Sequence, residues 1–437
     1  MAVTMAATAS AATIAIVNVN IIPMSSETVL AGKTVLVTDG RISTIGNVRE
    51  VHIPEDVLVV DGTDRYLIPG LSEMHGHVPG LGTESLDRIL HLYVANGVTL
   101  VRGMLGQPSH LQMQKQILEQ EILGPRLYTS GPSFNGRSVS GPEQAREMVL
   151  EQKDTGYDFL KIHPGLNRAE FDEIARTANE VGIPFAGHVP ADVGVDRALS
   201  SGIATIDHLD GYMQTLIPAH EDPTGGIGGF FGVMLAGQAE TSRIASIVEA
   251  TRLAGTWNVP TQTLFEHVVS TVSISDMLKW PEMRYMPQET VDQWVESKTN
   301  VIEDSAYDPE VATRAIELRR QIIKAMHDAD ARLLLGSDSP QIFNVPGFAI
   351  HRELQLLVDA GLTPFEALAT GTVAPAAFFG RNVQSGTVEV GKDADLVLLD
   401  ANPLTDISAT RRVHGVMLRG RWVSNSEIKR LLEALER

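Results

Sequence analysis

Four histidines, one lysine and one aspartate stand at or near the ends of short apolar runs. His75 and His77 close LIPGLSEMHGH, Lys161 sits in DFLKI, His188 closes IPFAGHV, His208 lies in IATIDHL, and Asp338 closes ARLLLGSD. Neutral imidazole and carboxylate are the donors that borderline-soft divalent ions such as zinc or manganese accept. Two histidines at i and i+2 of one strand project from the same face, so His75 and His77 can reach one ion. Lys161 is the odd member, because burial in an apolar strand penalises its ammonium. Carboxylation by carbon dioxide would turn it into an anionic carbamate able to bridge two ions. Taken singly, His188 and His208 also read as core histidines, Lys161 as a surface lysine and Asp338 as a cap or turn residue. Their joint occurrence, each at a run's end, points to a metal centre. Of the other polar residues, His163, His110 and His351 either line the mouth of such a site or pack behind it. Tyr212 follows His208 closely enough to reach a substrate. Tyr212, His163 and His351 are therefore the candidate substrate contacts.

The elements that would have to position these groups are legible in the spacing. From about residue 66 to 385 the apolar runs alternate with helical periods. In NRAEFDEIARTANEVG, Asn167 and Glu170 form a capping-box pattern, Phe171, Ile174, Ala175, Ala178 and Val181 share one face, and Gly182 stops the helix. Thr363-Pro364-Phe365-Glu366 repeats the start signal. Strand runs separated by helices over some 300 residues predict an α/β fold with parallel βα units, a (β/α)8 TIM-like barrel being the expected form. In a barrel, reactive groups gather at the C-terminal strand ends, where the six residues fall. The two chain ends read differently. ATIAIVNVN, KTVLVT with the turn pair Asp39-Gly40, and the runs in 385–400 and 413–424 are short β grammar. They predict one small β-sandwich domain assembled from residues 1–65 and 386–437, around a barrel of 66–385.

Composition narrows the function classes. The chain has 437 residues, 54 acidic and 35 basic side chains, and a formal charge of −19. That acid excess, with no dense basic run, argues against nucleic-acid or anionic-membrane partners. No apolar run approaches the roughly 18–20 residues that cross a bilayer. With no cysteine there is no thiol nucleophile, disulfide, iron–sulfur cluster or thiolate zinc site. The first residues, MAVTMAATASAATIAIV, lack a basic start and read as a frayed terminus, with Ala7-Thr8-Ala9 leaving a processed signal remnant as the alternative. The expected location is thus cytoplasmic, with a periplasmic or secreted mature form second.

The sequence resembles the amidohydrolase superfamily of metal-dependent hydrolases. The pieces that carry the resemblance are PGLSEMHGH, GVTLVRGM, GYDFLKI, VGIPFAGHVP, SGIATIDHLDGY, LLLGSDSP, PGFAIHRELQLLVDAGLTPFEALATGTVAPAAFFG and GTVEVGKDADLVLLDANPL, which span about residues 69 to 404. The closing stretch resembles the imidazolonepropionase-like and Xaa-Pro or Xaa-Arg dipeptidase branch, which includes ochratoxin-hydrolysing amidases. The resemblance implies two divalent ions, zinc being the expected metal. His75 and His77 match the pair on the more buried ion, Lys161 the carbamylated bridge, His188 and His208 the ligands of the second ion. Asp338 matches the aspartate that binds the first ion and handles the proton. Where the family usually carries an aspartate ahead of the histidine pair, this chain has Glu73, read as structural.

The implied reaction is metal-assisted hydrolysis of an amide, with Asp338 as general base and then general acid. A dipeptide or N-acyl amino acid, including ochratoxin-type amides, is the expected substrate. A cyclic amide or lactone is the alternative, a deaminase fits less well, and a silent scaffold is disfavoured because every expected ligand is present. A homo-oligomer is expected from the resemblance. Segment 212–258, with GGIGGFFG, reads as a lid or a surface excursion, and 273–305 as helix packing, a pocket wall or an oligomer contact.

Overall fold

The computed structural model describes residues 13–218 and 229–437. The possible signal remnant, and residues 225–228 of the glycine-rich stretch, lie outside the described residues.

Both chain ends build one sheet. From the N-terminal side come β1 (Ile14–Ile21), β2 (Leu30–Thr38), β3 (Arg41–Asn47), β4 (Leu58–Asp61) and β5 (Tyr66–Pro69). Seven strands follow in the middle of the chain: β6 (Leu71–Gly76), β7 (Val98–Gly103), β8 (Arg126–Thr129), β9 (Leu160–Ile162), β10 (Phe185–Gly187), β11 (Thr205–Asp207) and β12 (Trp257–Val259). The C-terminal side then adds β13 (Leu396–Leu399), β14 (Val413–Leu418) and β15 (Arg421–Val423). The eight terminal strands run in the order β15-β14-β13-β5-β1-β2-β3, with β4 beside β1. Asp39 and Gly40, at φ 53° and 73°, make the β2–β3 turn that their sequence predicts.

Two details differ from the expectation. The strands form one continuous sheet that curls on itself, not two separate sheets of a sandwich. β3 approaches the chain just before β13, with Ile42 N donating to Lys392 O at 2.9 Å and Ala394 N to Gly40 O at 2.8 Å. The curl encloses a core in which Ile14, Ile16, Val35 and Val37 meet Leu396, Leu398 and Met417. The sheet also extends to Pro69 and does not stop at residue 65, because β5 pairs with both β1 and β13.

The middle strands are parallel and short, and β6, β9, β10 and β11 are buried along their whole length, as strands enclosed by helices are. β6-β7-β8 and β9-β10-β11-β12 are two continuous runs. Parallel bridges Ser130–Phe159 and Phe134–Ile162 connect the first run to the second. Beyond β12, the segment around 333–339 bridges Asn258 through Leu333 and returns to Gly76 through Ser339. Eight parallel segments therefore follow one another in chain order, and the last meets the first. Helices connect them, among them 86–95, 168–181 and 309–328, and 348–359 follows the last segment. The 168–181 helix has the full Asn167–Glu170 capping box and ends on Gly182 at φ 65°. Thr363 and Glu366 cap the 364–371 helix in the same way. Among the described residues, no helix is long and apolar enough to cross a membrane.

Candidate metal centre

The six residues come from one end of the parallel segments. β6 carries His75, and His77 follows it; β9 carries Lys161; His188 and His208 are the residues just after β10 and β11; Asp338 lies in the last segment. Main-chain bonds fix these ends: His188 N donates to Ile162 O at 3.0 Å, His208 N to Val259 O at 2.8 Å, and Asp338 N to His75 O at 2.8 Å. His208 and Asp338 are held at φ 64° and 61°, and Thr261, beside them, at 46°. Left-handed backbone in such residues costs about 1–2 kcal/mol each. The surrounding bonds must over-determine these positions for the strain to persist.

The side chains converge. The Asp338 carboxylate lies 2.6 Å from His77 Nε2, 3.6 Å from His75 Nε2 and 3.7 Å from His208 Nδ1. The ring centroids of His75 and His208 are 4.4 Å apart, and those of His188 and His208 4.7 Å. Ligand atoms of His75, His208 and Asp338 all fall within 4.8 Å of one another. Burial alone would raise the Asp338 carboxyl, but His75, His77 and Lys161 hold it well below the usual carboxylate range. Burial, with the Lys161 charge nearby, keeps the His75 and His208 rings neutral, which is the ligand form.

Lys161 is fully buried, and its Nζ has no hydrogen-bond partner. Burial pushes its ammonium down to about 8, against the pull of Asp207 and Asp338. Space for its stem depends on Gly187, where a Cβ would stand 3.0 Å from Lys161 Cδ and 2.4 Å from Ile162 O. An unpartnered amine among imidazoles and carboxylates fits a divalent-ion centre. His75, His208 and Asp338 offer donors to one cluster, with His77, His188 and Lys161 around it.

Several supporting groups were not singled out in the sequence. Asp207 lies 3.0 Å from His75 Nδ1, although the pair is not aligned as a hydrogen bond. Arg102 donates to Asp207 at 3.0 Å, to Thr205 Oγ1 at 3.1 Å and to Met74 O at 2.6 Å. Asp210 Oδ2 is 3.0 Å from His188 Nδ1, and Thr261 Oγ1 is 2.8 Å from His208 Nδ1. Arg319 donates to His208 O at 2.6 Å. Glu353 accepts from Gln262 N and Thr263 N at 2.9 and 2.7 Å, and burial raises it to about 7. Phe231 stacks on His208 at 4.9 Å and lies near-parallel to His188 at 6.1 Å between centroids. Charged residues inside apolar runs, Arg102 and Asp207 above all, were the signal available for two of these. Glu73 is structural, as expected: it accepts from His75 N at 3.0 Å and Ser337 N at 2.8 Å, tying the last segment to β6.

The three candidate substrate contacts separate. His163 is half-buried beside the centre, its ring 5.2 Å from that of His188. Burial and Lys161 push it down to about 3. Tyr212 does not face the centre. It is fully buried with its hydroxyl 2.8 Å from Thr251 Oγ1, because Gly211 at φ 82° turns the chain before it. His351 is also placed elsewhere, buried in the 348–359 helix with Nδ1 3.0 Å from Thr410 Oγ1. His110 is buried against Thr129, with Nδ1 3.0 Å from its Oγ1.

Comparison with known proteins follows the same outline. A 65-residue stretch is 45% identical to 5'-deoxyadenosine deaminase of Methanobrevibacter smithii, covering 14% of this chain and 15% of that one. The alignment thus spans well under a fifth of the relative. A bottromycin amidohydrolase superposes with TM-score 0.72 at 21% identity, over 97% of this chain and 90% of that one. A Xaa-Pro dipeptidase with methionine bound in its active site gives 0.64 at 18% identity, over 94% and 100%. Residues 66–423 match the amidohydrolase family, so the chain belongs to that family.

Proposed function

We propose that this chain is a binuclear metal-dependent amidohydrolase on a (β/α)8 barrel, cleaving an amide or peptide bond in a small substrate. The observation that carries the reading is the buried, unpartnered Lys161 amine among four histidines and Asp338 at one end of eight parallel segments. The names of the superposed dipeptidase and bottromycin amidohydrolase support an amide as the bond. His75, His77 and Asp338 would hold one ion, His188 and His208 the other, with Lys161 bridging as its N-carboxylate. Formation of that group joins the neutral amine to carbon dioxide and releases one proton, which the lowered Lys161 pKa favours.

When bound, the ions would acidify water and polarise a carbonyl. The chain's own residues do the rest. Asp338 takes the proton of the attacking water at a carboxylate oxygen and returns it to the leaving nitrogen. Asp207 and Asp210 sit against the Nδ1 atoms of His75 and His188, leaving the opposite nitrogens for the centre, and Thr261 steadies the His208 ring at its Nδ1. His163, half-buried beside His188, would meet the substrate.

Elemental analysis of purified protein should find about two divalent ions per chain, with zinc as the expected metal. Dipeptides, N-acyl amino acids and ochratoxin-type amides should then be hydrolysed; turnover confined to cyclic amides or lactones would move the reading to the imidazolonepropionase-like alternative. Asp338→Asn should lower kcat by about three orders of magnitude or more, and wild-type turnover in it would remove Asp338 from the proton path. Lys161→Ala should lose metal, with partial rescue by short carboxylates. Full metal content in that variant would refute the bridge.

A further inference from the structure

Phe231 is set against the centre in a way that packing alone does not require. Its ring stacks on His208 at 4.9 Å with an interplanar angle of 22°, and lies near-parallel to His188 at 12°. Its backbone is at φ 49°, next to Gly232 at 73° and close to Gly229 at 70°. A bulky residue rarely adopts this conformation, and here it turns the ring onto the histidines. Phe230 braces it edge-on at 4.5 Å and continues to Phe265, 6.5 Å away, in the 262–269 helix. The result is an aromatic wall anchored to the core on one side of the centre. Asp338 belongs to the last segment, next to β6, with its carboxylate 2.6 Å from His77 and 3.7 Å from His208.

We propose that Phe231 is a specificity-determining residue that receives a flat apolar substituent on the acyl side of the scissile amide. The inference rests on the hydrolase reading above. The leaving nitrogen must face Asp338 to be protonated there. The acyl substituent leaves the trigonal carbonyl carbon in a different direction, away from that nitrogen and toward the His188–His208 side that Phe231 covers. Aromatic acyl groups, or dipeptides with an aromatic first residue, are the matching class, since offset stacking on Phe231 adds to apolar burial.

The test compares zinc-loaded wild type, Phe231→Ala and Phe231→Tyr on two substrate pairs. N-Benzoylglycine and N-acetylglycine share a leaving glycine; N-acetylphenylalanine and N-acetylalanine share an acyl group. Wild type should prefer benzoyl over acetyl. Phe231→Ala should cut that kcat/KM ratio about tenfold, mainly through KM, and Phe231→Tyr should restore it to within about twofold. The leaving-residue ratio should not move. Calorimetric affinities for benzoate against acetate give a readout independent of turnover and should change in parallel. Metal content and melting temperature check the fold, with Phe231→Leu as the substitute if the alanine variant does not fold. An unchanged benzoyl preference, or a change confined to the leaving-residue pair, overturns the proposal. Loss of benzoate preference in Phe231→Ala, with no amide turned over by wild type, would instead sink the hydrolase reading and leave the wall standing.

Discussion

On one side of the centre His75 rests against buried charge, whereas on the other His188 rests against a group that still touches water. The His75 and Asp207 side chains are 1% and 0% exposed, and Arg102 forms an ion pair with Asp207 from behind. The His188 and Asp210 side chains are 12% and 15% exposed. His208 is fastened differently again, by a threonine hydroxyl on its ring and Arg319 on its carbonyl. Buried charges interact strongly and tolerate no missing partner, while partly hydrated ones lose little when a partner changes. The His75 side is therefore a rigid foundation, and the His188–His208 side is where the site can vary without losing the fold. Phe231 covers that second side, which places substrate discrimination where substitution is tolerated.

Removing charge from the foundation tests this contrast most severely. Asp207→Ala strands Arg102 without its carboxylate, and should cost about 3–5 kcal/mol in denaturant unfolding, together with loss of bound metal. A loss below about 1 kcal/mol would erase the distinction between the halves. A smaller effect belongs to Glu353, which braces the main chain next to Thr261. Its carboxyl titrates at about 7 in the folded protein, while in the unfolded chain it titrates at about 4.3. Between those values the folded state binds more protons than the unfolded state, so this group makes stability fall as pH rises from about 4.3 to about 7 and then level off. The span is at most about 4 kcal/mol. Glu353→Gln should flatten that portion of the stability profile, and an unaltered slope would show that another group carries it. The smallest change is expected for Asp210→Asn, with metal affinity falling about 10–100-fold and unfolding free energy moving by less than about 1 kcal/mol. Metal titration and denaturation of one sample separate the two quantities. A stability loss as large as that of Asp207→Ala would make the halves equivalent.

Much of this molecule was readable before its structure. Helix starts at Asn167 and Thr363, the Asp39-Gly40 turn and the β character of both chain ends followed from patterns a few residues long, but that these ends form one curled sheet and not a sandwich did not. So did the placing of His75, His77, Lys161, His188, His208 and Asp338 at segment ends, because each sits beside its own apolar run. Residues that fail this rule were misread. Tyr212 is near His208 in sequence, yet the turn at Gly211 sends its hydroxyl to Thr251. His351 has a partner 59 residues away, Thr410, that no local pattern announces.

Sequence by itself determined the donor types, their order and the strands that carry them, since secondary structure and side-chain alternation are set by near neighbours. Tertiary structure alone decided which carboxylate stands behind which imidazole, how far the small sheet curls, and that an aromatic ring at 231 lies over two histidines. Those outcomes depend on distances between segments far apart in the chain. Such distances are fixed only when the parallel segments pack and exclude water from the charges between them.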